Sequence, residues 1–431
     1  MNRHALMSAL APALLALAAA PAPAANWPQW RGPAFNGSTP ETGLPQRWSA
    51  TEGAAWTAAL PGPSGATPAV WDDHVFVSSA DAEAKRTWAI ALDRRDGRLR
   101  WKHPFEGAFS TRMGSTAASP SPIADGRRVF FYYGTGHLAA FDFDGRLLWR
   151  RRLTQDHGDF EFMWGYGSSA LLWKDRLYVP VLHGDHTRDE GVAGSYLLAV
   201  DPATGKDMWK HPRKTDARRE ARQAYTTPCP LERPAGDQVV LAGADCVTGH
   251  DAADGRELWR SPSYNPRRIT HWRTVVSPVA AGDRVYAAAP KGGGGFALRV
   301  PPPGRPAAGW DWTVPEHSPD VCTPLVYNGR MYILDGRAKV LQCVDPATGR
   351  VLWRGDLGGG AVFQASPTGA DGRLYCINLA GEAVVLAAGD SFQVLWRAAM
   401  GGAGVRSSIV AAQGLLFIRT DTTLFAIGRA R

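Results

Sequence analysis

Short apolar runs recur along this chain, each opened by a small residue with proline or serine and broken by a tight turn. SPSPIADGRRVFFYY from Ser119, SPVAAGDRVYAAA from Ser277, TPLVYNGRMYIL from Thr323, SPTGADGRLYCIN from Ser366 and SSIVAAQGLLFIRT from Ser407 share this layout. Alternation such as Val-Tyr-Ala or Leu-Phe-Ile predicts a strand, and Asp-Gly, Asn-Gly or Gly-Asp ahead of it predicts a hairpin. A further strand follows and ends in Ala-x-Asp. A turn with glycine comes next, and a last strand carries tryptophan. Each unit thus predicts four short antiparallel strands, the content of one propeller blade.

The second half of the unit fixes the period. ALDRRDGRLRW, AVDPATGKDMW, GHDAADGRELW and CVDPATGRVLW each place Asp eight residues before Trp, and AFDFDGRLLW shortens the gap to seven. Weaker copies end at Trp312 and Trp396. Counting from Trp56, the series runs through Trp101, Trp149, Trp209, Trp259, Trp312, Trp353 and Trp396, at intervals of 41 to 60 residues. Each indole is expected to pack between neighbouring blades with its N–H on a backbone acceptor. The strand Ala55–Leu60 lacks partners, and Val405–Gly428 lacks a tryptophan strand, so joining them closes a ring of eight blades and removes two open edges. The expected fold is an all-β, eight-bladed β-propeller of four-stranded antiparallel blades. Seven blades would follow if Phe296–Trp312 were an insertion.

The expected domains are a signal peptide over residues 1–24, an N-terminal extension over 25–53 and the propeller over 54–431. Asn2-Arg3-His4 gives the leader its positive start, Ala5–Ala20 its apolar stretch, and Ala22-Pro23-Ala24 a small-x-small cleavage site. The leader has no Cys to take a lipid anchor, and no later stretch is apolar enough to span a bilayer. The expected location is the periplasm or the exterior.

Composition adds a few exclusions. The 431 residues are 45% hydrophobic and 20% charged, which permits a large core. The net charge of +8 is dispersed, and its densest stretch, Lys206–Arg222, is interrupted by Asp207, Asp216 and Glu220. No basic stripe of the kind that tracks nucleic acid is present. Five cysteines leave at least one unpaired in an oxidising compartment. Cys229–Cys246 and Cys322–Cys343 are the neighbouring pairs that could bridge, and five small buried thiols are the alternative.

DPATGKxxW at Asp201–Trp209 and DPATGRxxW at Asp345–Trp353, with the Ser-Pro strand starts, resemble the pyrroloquinoline-quinone-like (PQQ-like) propeller repeat. The opening NWPQWRGP at Asn26–Pro33 is similar to the start of many secreted members. The resemblance covers nearly the whole chain after the leader. It implies a propeller and two kinds of role. Quinoprotein dehydrogenases of this family bind the quinone and calcium, whereas the outer-membrane assembly lipoprotein binds protein partners. This chain lacks the adjacent cysteine pair and a match to the calcium ligands of the former, and the lipidated cysteine of the latter.

In a propeller the innermost strands line the axis and their leading loops form its mouth. By register that mouth receives Arg112, Trp164, Tyr166, Tyr225, Trp272, Arg273, Asp320, Gln364 and Arg406. Guanidiniums there would attract a carboxylate or phosphate, and flat rings would stack on a ring or sugar face. The alternative is that these groups plug a narrow channel and pair with Asp320 and Glu161. Other clusters are His157, Asp159 and Glu161, and His183, Asp185, His186 and Asp189 in a long insertion. His271 and His317 stand near inner-strand starts. None has metal spacing, and no catalytic set can be named, so no metal is expected. Gly292–Gly295 is expected to be a turn, because no helix follows it to bind phosphate. Three functions follow: an exported non-catalytic scaffold for a protein, peptide or glycan; a PQQ- and calcium-dependent oxidoreductase; and a polysaccharide hydrolase or lyase. The first needs no cofactor.

Overall fold

The computed structural model describes residues 25–112, 114–187 and 194–429, so the expected leader over residues 1–24 lies outside the described residues. Eight four-stranded antiparallel sheets follow one another around a ring. Blades 1 to 7 span residues 69–105, 123–152, 171–212, 229–260, 279–314, 325–356 and 368–399. Blade 8 is composite. Val410–Ala412, Leu415–Arg419 and Thr423–Ile427 receive Ala54–Ala59 as their outermost strand, with Trp56 opposite Ala426. Residues 279–314 form a complete blade, which removes the seven-blade alternative.

Burial explains the three kinds of strand. First strands are short and meet each other around the axis. Middle strands are covered on both faces by adjacent blades, so Tyr196–Val200 is buried throughout. Outermost strands have one wet face and alternate, as in Asp207–Pro212.

The Asp-to-Trp phrase is a joint between blades. In four copies the Asp side chain accepts the N–H two residues on, at 2.7–2.8 Å, and its carbonyl accepts the glycine N–H at 2.8–2.9 Å. This turn presents glycine to the indole of the preceding blade. Gly205 has φ of +72°, and a Cβ there would lie 2.6 Å from the Trp149 ring; Gly349 repeats this against Trp312. The indole N–H groups of Trp56, Trp101, Trp149, Trp312 and Trp353 then donate to the same turn region, at 2.7–3.1 Å. Blade 8 has no such turn, and Trp396 donates to the Trp48 carbonyl of the extension at 2.9 Å. Two copies depart from expectation: Trp259 donates to the Gln238 side chain, and the Trp209 N–H is buried without a partner.

Gly205→Val is therefore expected to cost about 2–4 kcal/mol, from positive-φ strain plus collision with Trp149. Gly372 has φ of +69° with nothing within 4 Å, so Gly372→Val isolates the strain alone. Urea unfolding of both variants measures the difference, and equal losses would refute the joint.

All five cysteines are free and buried, so neither bridge forms. Strand register is the reason. Cys229 lies opposite Val240, while Cys246 sits at the far end of that ladder, opposite Gly243. Cys322 precedes its blade and its thiol points to the Phe363 carbonyl, whereas Cys343 is held in the ladder opposite Tyr332 and Trp353.

Candidate binding site at the propeller axis

The Ser/Thr that opens each blade builds the floor of the axis. The Thr67 N–H donates to Ser121 Oγ, Ser121 to Ser169, Ser169 to Thr227, and Thr227 to Ser277, at 2.9–3.0 Å. The chain of bonds continues through Thr323 to Ser366 and returns from Ser408 to Thr67. At seven of the eight joints one blade's hydroxyl thus satisfies its neighbour's backbone, in a place where unpaired N–H groups are costly.

The extension seals this ring from one side. The Trp27 backbone pairs with Val70 of blade 1, the Pro28 carbonyl accepts from Ala124 of blade 2, and Gln29 bonds Leu172 of blade 3 in both directions. Arg31 reaches the Pro324 and Pro367 carbonyls of blades 6 and 7, and Glu41 accepts the Gln413 and Gly414 N–H groups of blade 8. Trp30 is left facing the axis. The channel becomes a blind cup of about 280 Å³, with Trp30 and the hydroxyls among its lining residues.

The wall carries Trp164, Tyr225, Arg273, Gln364 and Arg406. The Trp164 indole donates to Glu220 at 2.8 Å, and its backbone N–H donates to the Tyr225 hydroxyl at 3.2 Å. Arg273 lies over the Trp164 ring at 5.3 Å and is flanked by Glu220 at 3.6 Å and Asp320 at 3.5 Å. Burial raises the Tyr225 pKa, so the phenol stays protonated. Arg406 differs from Arg273. Its partners are Gln364 Oε1 at 2.9 Å and the Gly404 carbonyl at 3.1 Å, both neutral. Burial lowers its pKa from the usual arginine value, as expected for a cation lacking a carboxylate.

The structure divides the nine expected mouth residues. Trp164, Tyr225, Arg273, Gln364 and Arg406 line the cup; the other four do not. Tyr166 is 2% exposed and donates to the Pro180 carbonyl inside the core. Arg112 lies on the hairpin Thr111–Arg112/Ser115–Thr116 and donates to the Phe162 carbonyl. Trp272 packs against the core shared by blades 4 and 5. Asp320 turns to an adjoining cleft, where it accepts the Lys291 N–H at 2.9 Å. Position along the chain locates a loop but not the direction of its side chains. The hydroxyl ring, Trp30 and Glu220 were missed. The recurring Ser-Pro and Thr-Pro steps were the available signal for the ring.

Among the described residues, no group of three or more His, Cys, Asp or Glu that could hold a metal occurs. His183 Nδ1 accepts the Glu161 N–H at 3.0 Å, Asp185 caps Thr187, and Asp189 lies outside the described residues. Gly292 ends a short 3₁₀ turn, Pro290–Gly292.

The family model described as "Outer membrane protein assembly factor BamB" matches residues 46–160, 85–300 and 299–430. The chain belongs to this BamB-type repeat family. Among curated relatives, the polyvinylalcohol dehydrogenase of Sphingopyxis sp. (strain 113P3) is 27% identical over 162 residues, 36% of this chain and 23% of that protein. The outer membrane protein assembly factor BamB of Bordetella pertussis is 24% identical over 183 residues, 36% of this chain and 44% of that one. The matches thus span less than half the length of these relatives. Among solved structures, BamB from Moraxella catarrhalis aligns with a TM-score of 0.59 at 15% identity, covering 86% of this chain and 97% of that one. The quinohemoprotein alcohol dehydrogenase of Comamonas testosteroni aligns at 0.67 and 13%, covering 94% and 81%. Both share the fold of this BamB-type chain. No helix among the described residues is long and apolar enough to cross a membrane.

Proposed function

We propose that this BamB-type propeller is an exported, non-catalytic binding protein of the cell envelope. Its axial cup takes an anionic or aromatic group presented by a protein, peptide or glycan. The observation that carries this reading is Arg406, an exposed guanidinium on the wall of the cup whose hydrogen-bond partners are all neutral, with Trp30 and Trp164 lining the same cup. The described lining contains no carboxylate, imidazole or thiol. Its hydroxyls hold the ring together and have no base beside them. An acid/base pair for cutting a polysaccharide is missing from it. Kinship with a protein named as an assembly factor supports a protein partner.

The test is capture from an envelope extract by the wild type and by Arg273→Ala/Arg406→Ala. The double variant is expected to lose binding about tenfold or more for each charged contact removed. Undiminished capture would overturn the reading.

A quinone-dependent oxidoreductase is the second reading, favoured by two guanidiniums and two indoles around one small cavity. Those residues suit an aromatic polycarboxylate. Calcium fits poorly, because its hard oxygen ligands usually include several carboxylates, and the described lining offers hydroxyls and the Gln364 amide but no carboxylate. Titration with pyrroloquinoline quinone, with and without Ca²⁺, is expected to show no calcium-dependent quinone absorbance. Tight calcium-dependent binding would favour the oxidoreductase.

A further inference from the structure

A cation follows the repeat tryptophan in six blades: Lys102, Arg150, Lys210, Arg260, Arg354 and Arg397. Five of these are engaged. Lys102 lies 3.7 Å from the Trp88 ring centre and Lys210 5.0 Å from that of Tyr196. Arg260, Arg354 and Arg397 pair with Glu257, Glu316 and Glu382 at 2.7–2.9 Å. Arg150 has no such partner among the described residues. Its neighbour on the same strand face, Arg152, reaches only the Thr154 hydroxyl, at 3.0 Å.

Both line a groove of about 640 Å³ between the outermost strands Leu99–Phe105 and Leu147–Arg152 of blades 1 and 2. Its walls are mixed. His103 stacks on Phe141 with ring centres 5.0 Å apart, and Leu147 stands 44% exposed at the groove's edge. Three of the six exposed large hydrophobics among the described residues, Leu99, Leu147 and Leu148, belong to these two strands. The other charges are engaged: Arg151 with Asp156 and Asp207, Glu106 with Arg86. Burial, then Arg152 and Arg150, lower the His137 pKa, as an uncompensated positive field requires. Leu147–Arg152 pairs with His137–Asp142 on one side, which leaves its outer edge open.

We propose that this groove is a second docking surface, separate from the axial cup, for an extended acidic segment of a partner protein. The segment adds along the free edge of Leu147–Arg152, with carboxylates on Arg150 and Arg152 and apolar side chains on Leu147 and Leu148. A free anion would use the guanidiniums alone and would leave the leucines and the strand edge unexplained.

The test uses the full chain and three probes: a short blocked peptide alternating Glu with Val, its Gln–Val counterpart, and citrate. Binding is followed by calorimetry, and hydrogen exchange locates it. The Glu–Val peptide is expected to bind and to protect the amides of 147–152. The Gln–Val peptide is expected to bind about tenfold or more weakly, and Arg150→Glu/Arg152→Glu to lose about a hundredfold. Arg406→Ala is expected to leave the protection of the 147–152 amides by the peptide unchanged, which separates this groove from the cup. No binding of the Glu–Val peptide at millimolar concentration overturns the proposal, as does equal binding of both peptides, protection elsewhere or an unaffected double variant. Citrate binding that needs Arg150 and matches the peptide assigns the groove to small anions instead and equally overturns it.

Discussion

Arg31→Met is expected to lower the unfolding free energy by about 3 kcal/mol or more, since it leaves buried carbonyls without donors that cost about 1–3 kcal/mol each. Arg31 is 3% exposed and donates to the carbonyls of Pro367, Asn36 and Pro324 at 2.9, 2.6 and 2.7 Å. Burial without a carboxylate pushes its pKa down to about 9, yet it remains charged at neutral pH. Removing that buried charge relieves desolvation, which offsets part of the loss. The balance still favours arginine, because two of the three carbonyls belong to the residues just after Thr323 and Ser366 in the hydroxyl ring. Lysine is not expected to rescue, since one ammonium replaces a fork that spans two blades. Gly37 keeps the space: a Cβ there would lie 2.2 Å from the guanidinium. Urea unfolding checks the loss of stability. Limited proteolysis checks a second consequence, cleavage within residues 26–45 as the strap lifts from the cup. A variant with the wild-type midpoint and an intact strap would show that the floor holds without Arg31.

The same residues show what could be read from the chain beforehand. The Asp–Gly–Trp phrase was legible because its turn is local, with Asp and Gly four residues apart in the four matching copies, and because it recurs. Blade count and ring closure followed from it. The cup was legible only as a set of loops. Its floor depends on contacts such as Arg31 to Pro367, 336 residues apart, and on hydroxyls each bonded to a different blade. Nothing local distinguishes a serine that joins that ring from one that merely starts a strand. Side-chain direction was equally hidden: Tyr166 and Trp164 are two residues apart, yet one enters the core and the other the cup. Free cysteines were left open for the same reason, since chain proximity says little about which end of a ladder a residue occupies.

Blade 4 contains two buried titrating groups that act in opposite directions over the same pH range. His250 is wholly buried, and burial, reinforced by Arg213 and His211 against the Gly255 carbonyl and Glu257, lowers its pKa to about 4. The unfolded chain therefore takes up a proton first as pH falls from 6.5 towards 4, and His250 removes about 3 kcal/mol of stability across that window. Asp245 is 5% exposed, and burial, with repulsion from Asp216, raises its pKa to about 7 despite Asn265, Arg213 and Arg268. Here the folded chain takes up the proton first, so the same acidification returns about 3 kcal/mol. In the wild type the two nearly cancel. Asp245→Asn is expected to retain the Asn265 contact and to lose stability steeply between pH 6.5 and 4.5. His250→Gln is expected to gain stability over the same interval. All other titrating groups are common to the three proteins, so differences between their urea-derived stabilities at each pH isolate the pair. Parallel curves for wild type and both variants would mean that neither group has a shifted pKa in the folded chain.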